Sequence, residues 1–326
     1  MKKSKRKWKI VGFSILGIMI LGLAAFGYEY YQLQPNNHFK SVPVVSTGKT
    51  NDKKSPIENI EVKEPVFNLL LIGSDERKGQ KIGHSDSMML VHVDLNKHEY
   101  DAISIPRDTR VHLDGYGYTK LTSVQYIMQA KKGAKKGVEA AVKAVGELTG
   151  VPINYYVETN YSGFQAMVDA VDGIEMNVPF EVKLTHPWYA ENKNKVINAG
   201  THFFDGKMVT EVVHERYSLK NGEYGRQQLQ EEALKGIAKK ALSPNNITNL
   251  PSLVKSIPDF VIATNMSNSD MLSLGLAAKD FNPNTQLEYH QIPGIGKKMY
   301  DDILKANNYQ LVIDPEKIKE LVATHF

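Results

Sequence analysis

Phe67-Asn68-Leu69-Leu70-Leu71-Ile72, followed by Gly73-Ser74-Asp75-Glu76-Arg77, is the stretch on which the fold turns. A continuous apolar run of this kind reads as a strand buried on both faces. The polar turn after it sits at the strand's carboxyl end, where ligands gather in open α/β sheets. Working outward, Met88–Val93 (MMLVHV) and Tyr100–Ile105 (YDAISI) are the next predicted strands. Gly83-His84-Ser85-Asp86-Ser87 leads into the first, and Ile105-Pro106-Arg107-Asp108-Thr109 leaves the second. Adjacent strands would bring Asp75, Asp86 and Arg107 to one rim. Val138, Ala141, Val142, Val145 and Leu148 form a helical stripe, predicting a helix over 137–148. Further helices are predicted over 164–171, 205–217, 227–242, 271–278 and 315–324, with Asp172-Gly173 and Ser243-Pro244 as stops. Strands and helices mix without strict alternation. That pattern predicts an α/β fold, a three-layer α/β/α sandwich with a mixed central sheet, preceded by one transmembrane helix.

The helix in question comes first. Residues 1–9 (MKKSKRKWK) are strongly basic, and no residue from Ile10 to Tyr28 is charged. A helix needs about 20 such residues to cross the hydrocarbon core. Basic residues before the run and Glu29 after it predict a cytoplasmic N-terminus and an external remainder. Tyr28, Tyr30 and Tyr31 would lie at the outer interface. A cleaved signal peptide is the rival reading, but the run is long for an h-region and Ala24-Ala25-Phe26 is a poor cleavage site. Residues 29–64, rich in Pro, Asn, Asp and Lys, read as an extracellular linker, and 65–326 as the folded domain.

Composition limits the classes of function. Lys+Arg 40 against Asp+Glu 36 leaves a net charge of +4, too mild for a nucleic-acid binder, so nucleic acid is not an expected partner. The absence of cysteine among 326 residues excludes disulfides, thiolate metal sites and a cysteine nucleophile. Outside a membrane, that absence fits a Gram-positive surface.

The chemistry-bearing residues gather in four stretches. Two carboxylates, Asp75 and Asp86, beside Arg107 suit a divalent metal on a phosphate ester. The fourth stretch runs His214-Glu215-Arg216-Tyr217 and continues as Gly222-Glu223-Tyr224-Gly225-Arg226-Gln227-Gln228-Leu229-Gln230. A helix starting near Arg226 would point its free N–H groups at an anion. Arg226 and Gln230, four apart, would share a face. Any one of these residues alone reads as a cap or a solvated charge; the conjunction carries the argument.

These segments resemble the LytR–CpsA–Psr family, membrane-anchored phosphotransferases that attach glycopolymers to peptidoglycan. The resemblance runs from about Pro65 to Phe326, through FNLLLIGSDER, GHSDSMMLVHVD, AISIPRDT, VDAVDGIEMNVP, INAGTHFFDGKMVTEVVHERY and GEYGRQQLQ. It implies transfer of a polymer from an undecaprenyl pyrophosphate carrier to a peptidoglycan sugar hydroxyl at the cell membrane. It further implies that Asp75 and Asp86 hold Mg²⁺ and that Arg107, Arg216 and Arg226 bind the pyrophosphate, supported by Gln230. Asp108 would orient Arg107, Asp75 is the candidate base, and a polyprenyl tail would occupy an apolar tunnel between sheet and helices. His84, His214 and Leu229 stand where the family usually has arginine, and Glu223 where it has aspartate. His84 and His214 remain expected headgroup contacts, and the missing arginines predict a site short of permanent positive charge. A non-catalytic polyprenyl-phosphate-binding regulator or scaffold, and a plain surface adhesin, remain open at this stage. So does the polymer: teichoic acid, capsule or secondary wall polysaccharide.

Overall fold

The computed structural model describes residues 27–49, 58–77, 79–80, 82–243, 246, 250–279 and 281–326. The basic tail and nearly all of the expected anchor lie outside them. Among the described residues no helix is long and apolar enough to cross a membrane.

The FNLLLI run forms the middle of strand β1 (Val66–Ser74) in a six-stranded sheet. Its partners are β2 (Ser85–Asp94), β3 (Glu99–Ser104), β4 (Tyr155–Asn160), β5 (Ala263–Thr264) and β6 (Leu287–Gln291). The order is β5-β4-β1-β2-β3-β6. β1 runs parallel to β4 and antiparallel to β2, while β3 is antiparallel to β2 and parallel to β6. The sheet is therefore mixed, as the sequence suggests.

Helices cover both faces. Leu70, Ile72, Leu90 and Ile103 pack against α1 (Leu121–Lys132), α2 (Ala134–Thr149) and the last helix, α8 (Pro315–His325). The alternate residues, among them Leu69, Leu71, Met89 and Val91, face the other way, as the two-residue period of a strand requires. On that side lie α3 (Tyr161–Asp169), α5 (Gly222–Ala241), α6 (Leu250–Ser256) and α7 (Asn268–Ala277). A second core joins α3, α4 (Gly206–His214) and α5 to the antiparallel pair Ile174–Val178 and Gly200–Phe204.

Three expectations are corrected. The stretch 29–64 is not simply a linker. Pro35–His38 is helical, Ser41–Val44 pairs with Glu58–Glu61, and Phe39 and Val42 are fully buried against Phe67 and Tyr155. Two isolated apolar residues carry this docking, so no periodicity announces it. The helix expected over 205–217 stops at His214, leaving Arg216 in the turn that follows. The helix expected to start near Arg226 starts at Gly222, so Arg226 lies a turn inside α5 and its own N–H is not a free end.

Candidate functional site

The rim is built by the ends of three adjacent strands. The register of β1 against β2 shifts between Gly73 and Ser74, pairing Gly73 with Ser87 and Ser74 with Ser85. Asp86 is the residue left without a cross-strand partner, and a bulge of this kind re-aims a side chain. Its Oδ1 accepts a hydrogen bond from Arg107 Nη1 at 2.5 Å. Its carbonyl accepts one from Arg226 Nη2 at 2.7 Å. Arg226, only 3% exposed, also donates to Glu223 Oε1 at 2.8 Å. The Nε atoms of Arg107 and Arg226 are buried without a hydrogen-bond partner. Orphaned donors on buried cations are costly unless an anion meets them. Arg216 sits beside this pair, 4.0 Å from Glu223 Oε2.

Asp75 lines the same cavity as Asp86. Its Oδ1 accepts from the His84 backbone at 2.6 Å, and its Oδ2 lies 3.2 Å from His84 Nδ1. Burial pushes the Asp75 carboxyl up, but the His84 contacts and then Arg107 outweigh it, leaving the group below the usual carboxylate range. His84 stacks flat on Tyr126, with ring centroids 4.5 Å apart. Gly83 explains why the loop can close so tightly. A Cβ there would come within 2.7 Å of the Glu76 backbone nitrogen.

Asp75, His84, Asp86 and His214 all line one cavity of about 680 Å³, together with Arg77, Tyr161 and Trp188. Tyr161 hydroxyl is 3.1 Å from His214 Nδ1. Burial and then Asp86 push the Tyr161 phenol up to about 12, so it stays protonated. Burial and then the charge of Arg226 hold His214 below the ordinary histidine value. Both carboxylates on this wall are hard oxygen donors, the type that suits Mg²⁺ on a phosphate.

The cavity continues inward. Asp86 and Tyr161 also line a neck of about 190 Å³ that includes Gln230, whose Oε1 accepts from Ser87 Oγ at 2.9 Å. Leu71, Met89, Val157, Met167 and Leu234 are shared between this neck and a third space of about 460 Å³. That space lies between the sheet and the helices and is almost wholly apolar, with Leu253, Phe260 and Phe281 among its lining. A charged mouth therefore opens through a narrow passage into a hydrocarbon-like channel.

The LytR_cpsA_psr family model matches residues 37–325. The chain belongs to the LytR–CpsA–Psr family. It is 31% identical over 306 residues to a protein of Bacillus cereus named polyisoprenyl-teichoic acid–peptidoglycan teichoic acid transferase TagU, covering 93% of this chain and 92% of that one. A Bacillus anthracis protein of the same name is 30% identical over 303 residues, with the same coverage. Among solved structures, Bacillus subtilis TagV matches with a TM-score of 0.65 at 24% identity, covering 79% of this chain and 95% of that one. A TagT structure described as bound to LIIa-WTA matches with a TM-score of 0.62 at 25% identity, covering 80% and 89%.

Within this LytR–CpsA–Psr domain the residues singled out from sequence fall into groups. Asp75, His84, Asp86 and His214 share the cavity wall, Arg107 and Arg226 stand directly behind Asp86, and Gln230 lies in the neck. Asp108 is different: Lys120 Nζ donates to its Oδ1 at 2.7 Å, so it acts on Arg107 through charge rather than by a hydrogen bond. Leu229 is fully buried in the core shared by α4 and α5, so that position does not face the cavity. Other wall residues, among them Tyr126, Tyr161, Trp188 and Arg77, escaped the sequence reading. Tyr161 and Trp188 follow no periodic pattern. Arg77, 5.3 Å from the Trp188 ring centroid, stood in the GSDER turn with nothing to separate it from a solvated charge.

Proposed function

We propose that this chain is a membrane-anchored phosphotransferase that moves an anionic glycopolymer from an undecaprenyl pyrophosphate carrier onto a peptidoglycan sugar hydroxyl. One observation carries the reading: the cation-backed cavity narrows past Asp86 and Tyr161 into an apolar channel. That shape and polarity suit an anionic head on a long hydrocarbon tail. The names of the relatives support the polymer and the acceptor.

In the reaction, the acceptor hydroxyl oxygen bonds to the polymer-side phosphorus while the bridging P–O bond breaks. Polyprenyl phosphate leaves, and the hydroxyl proton passes to Asp75, which is ionised at neutral pH. Arg107, Arg226 and Arg216 offset the charge that gathers on the departing phosphate. The Nε atoms of Arg107 and Arg226 are buried without a hydrogen-bond partner, so a phosphate drawing either side chain outward would meet an uncommitted donor. Tyr161, kept protonated, offers a further donor at the neck. His84 and His214 are the additional headgroup contacts, and Arg77 brings a permanent charge to the same wall. Asp75 and Asp86 would hold Mg²⁺, which would neutralise pyrophosphate charge when bound.

The decisive experiment supplies full-length protein in detergent with a lipid-linked polymer and a peptidoglycan oligomer. The acceptor should gain the polymer's mass as free polyprenyl phosphate appears. Lipid bound without any transfer would leave a non-catalytic lipid-binding protein instead. Asp75→Ala and Asp86→Ala should each abolish Mg²⁺-dependent transfer while melting as folded proteins, since both stand at strand ends. Full activity in both variants would end the metal assignment.

A further inference from the structure

The sheet face opposite the channel carries a second set of ligating side chains. In β6, Leu287 and Tyr289 line the channel, so Glu288 and His290 point to the other face. The parallel pairing of β6 with β3 sets Glu288 directly beside Asp101. The last turn of α8 then brings His325 over the pair.

The four residues converge closely. His325 Nδ1 is 3.1 Å from Asp101 Oδ1 and 3.6 Å from Glu288 Oε2. His290 Nε2 is 3.8 Å from Glu288 Oε2. The four ligand atoms all lie within 4.8 Å of one another. Around a tetrahedral zinc with bonds of roughly 2.0–2.2 Å, neighbouring ligand atoms stand about 3.4 Å apart. Three edges of the required tetrahedron are therefore nearly in place. The exposed Glu288 and a helix end supply the freedom to close the rest.

A simple ion-pair cluster accounts for this less well. The His290 and His325 rings have centroids only 3.8 Å apart, so both imidazoles crowd the same small space beside Glu288. His290 Nε2 is buried and has no hydrogen-bond partner. That nitrogen lies 3.8 Å from Glu288 Oε2, too far for a hydrogen bond but at the spacing of two ligands on one cation. The adjacent His92, across from Asp101 in the register, is not part of the set, because its Nδ1 is 2.8 Å from Asn68 Oδ1.

We propose that Asp101, Glu288, His290 and His325 form a second, structural site for a zinc-type divalent cation that ties the end of α8 to the edge of the sheet. Two imidazoles and two carboxylates give a neutral complex with such an ion and leave no coordination position open, as in structural rather than catalytic sites. Their mixed nitrogen and oxygen chemistry separates them from the all-oxygen pair Asp75 and Asp86.

The test uses the full chain in detergent, stripped with chelator, reloaded with Zn²⁺ alone and washed. Bound metal is then counted. About one Zn²⁺ per chain should remain, and the melting temperature should rise. His290→Gln and His325→Gln should each lose that metal and that rise, while the double variant Asp75→Ala/Asp86→Ala keeps both. Equal zinc in parent and histidine variants would overturn the proposal, as would loss of zinc from the Asp75/Asp86 variant alone. Should the histidine variants misfold, Co²⁺ added to the unaltered chain gives a separate answer. The intense visible absorption of four-coordinate cobalt supports the site, and the weak spectrum of an octahedral ion refutes it.

Discussion

The side chain that most constrains the chemistry is Arg226. It is buried, holds the Asp86 carbonyl and Glu223, and keeps its Nε free. Removing one preorganised donor from such a site costs about 10²–10³ in rate. Arg226→Ala should lose transfer to that extent, and Arg226→Lys should not restore it, because an ammonium lacks the planar fork. Initial rates settle the point: a lysine variant as fast as the parent would remove Arg226 from the chemistry. His214 gives a second, pH-dependent prediction. Burial and Arg226 hold it neutral in the free protein, whereas a phosphate beside it favours the charged ring. Binding therefore takes up a proton and strengthens as pH falls from about 8 towards 6.5, above the second ionisation of a phosphate monoester. His214→Gln should flatten that slope in a titration with polyprenyl phosphate. An unchanged slope would make the histidine a bystander.

At the level of strands and helices, the rim loops rest on a buried polar chain. Ser85 Oγ donates to Gln125 Oε1 at 2.6 Å, and Gln125 Nε2 donates to Glu158 in β4. Gly83 N donates to Gln129 Oε1 at 2.9 Å from the same helix, α1. Burial, only partly countered by Gln125, pushes the Glu158 carboxyl up to about 7. An acid raised in the folded state stabilises fully below its ordinary value of 4.5 and loses that contribution as pH rises to about 7. Glu158→Gln, neutral throughout, should remove this part of the pH dependence. Melting curves at several pH values would show it, and parallel profiles for the two proteins would refute it. Glu158 also marks how far the sequence could be read. β1, β2 and β3 were legible because FNLLLI, MMLVHV and YDAISI are short, apolar and bounded by polar turns. β4 (YYVETN) and β6 (LEYHQ) were not, since each has polar residues where a buried strand would be apolar. Helix α1 was missed for a related reason: buried Thr122, Gln125 and Gln129 break its apolar stripe, and the two glutamines serve the network. At the site, Asp75, Asp86 and Arg107 could be found from strand ends. The aromatic wall of Tyr161 and Trp188 could not, because only tertiary packing brings it there.

For the whole molecule, the connected spaces predict a dependence on tail length. Each buried CH₂ contributes about 0.8 kcal/mol, so a long prenyl phosphate should bind far more tightly than a short one with the same head. Leu234 lies where neck and channel meet. Leu234→Trp should weaken binding of the long lipid by at least about tenfold, equivalent to roughly two methylenes, and spare the short one. Equal weakening of both would mean that tails do not pass that point. The basic start and uncharged run at residues 10–28 predict that protease added to intact wall-less cells degrades everything after Glu29; full protection would reverse the orientation. The narrow neck would also set how fast a spent lipid leaves. On the proposed reaction, polyprenyl phosphate would stay held by its hydrocarbon after the polymer departs from the mouth. Each further methylene gripped would lengthen its residence roughly fourfold. On that reaction, a channel that held the whole chain as tightly as its surface allows would stall after a single turnover, and a tail left partly ungripped would let the protein act again.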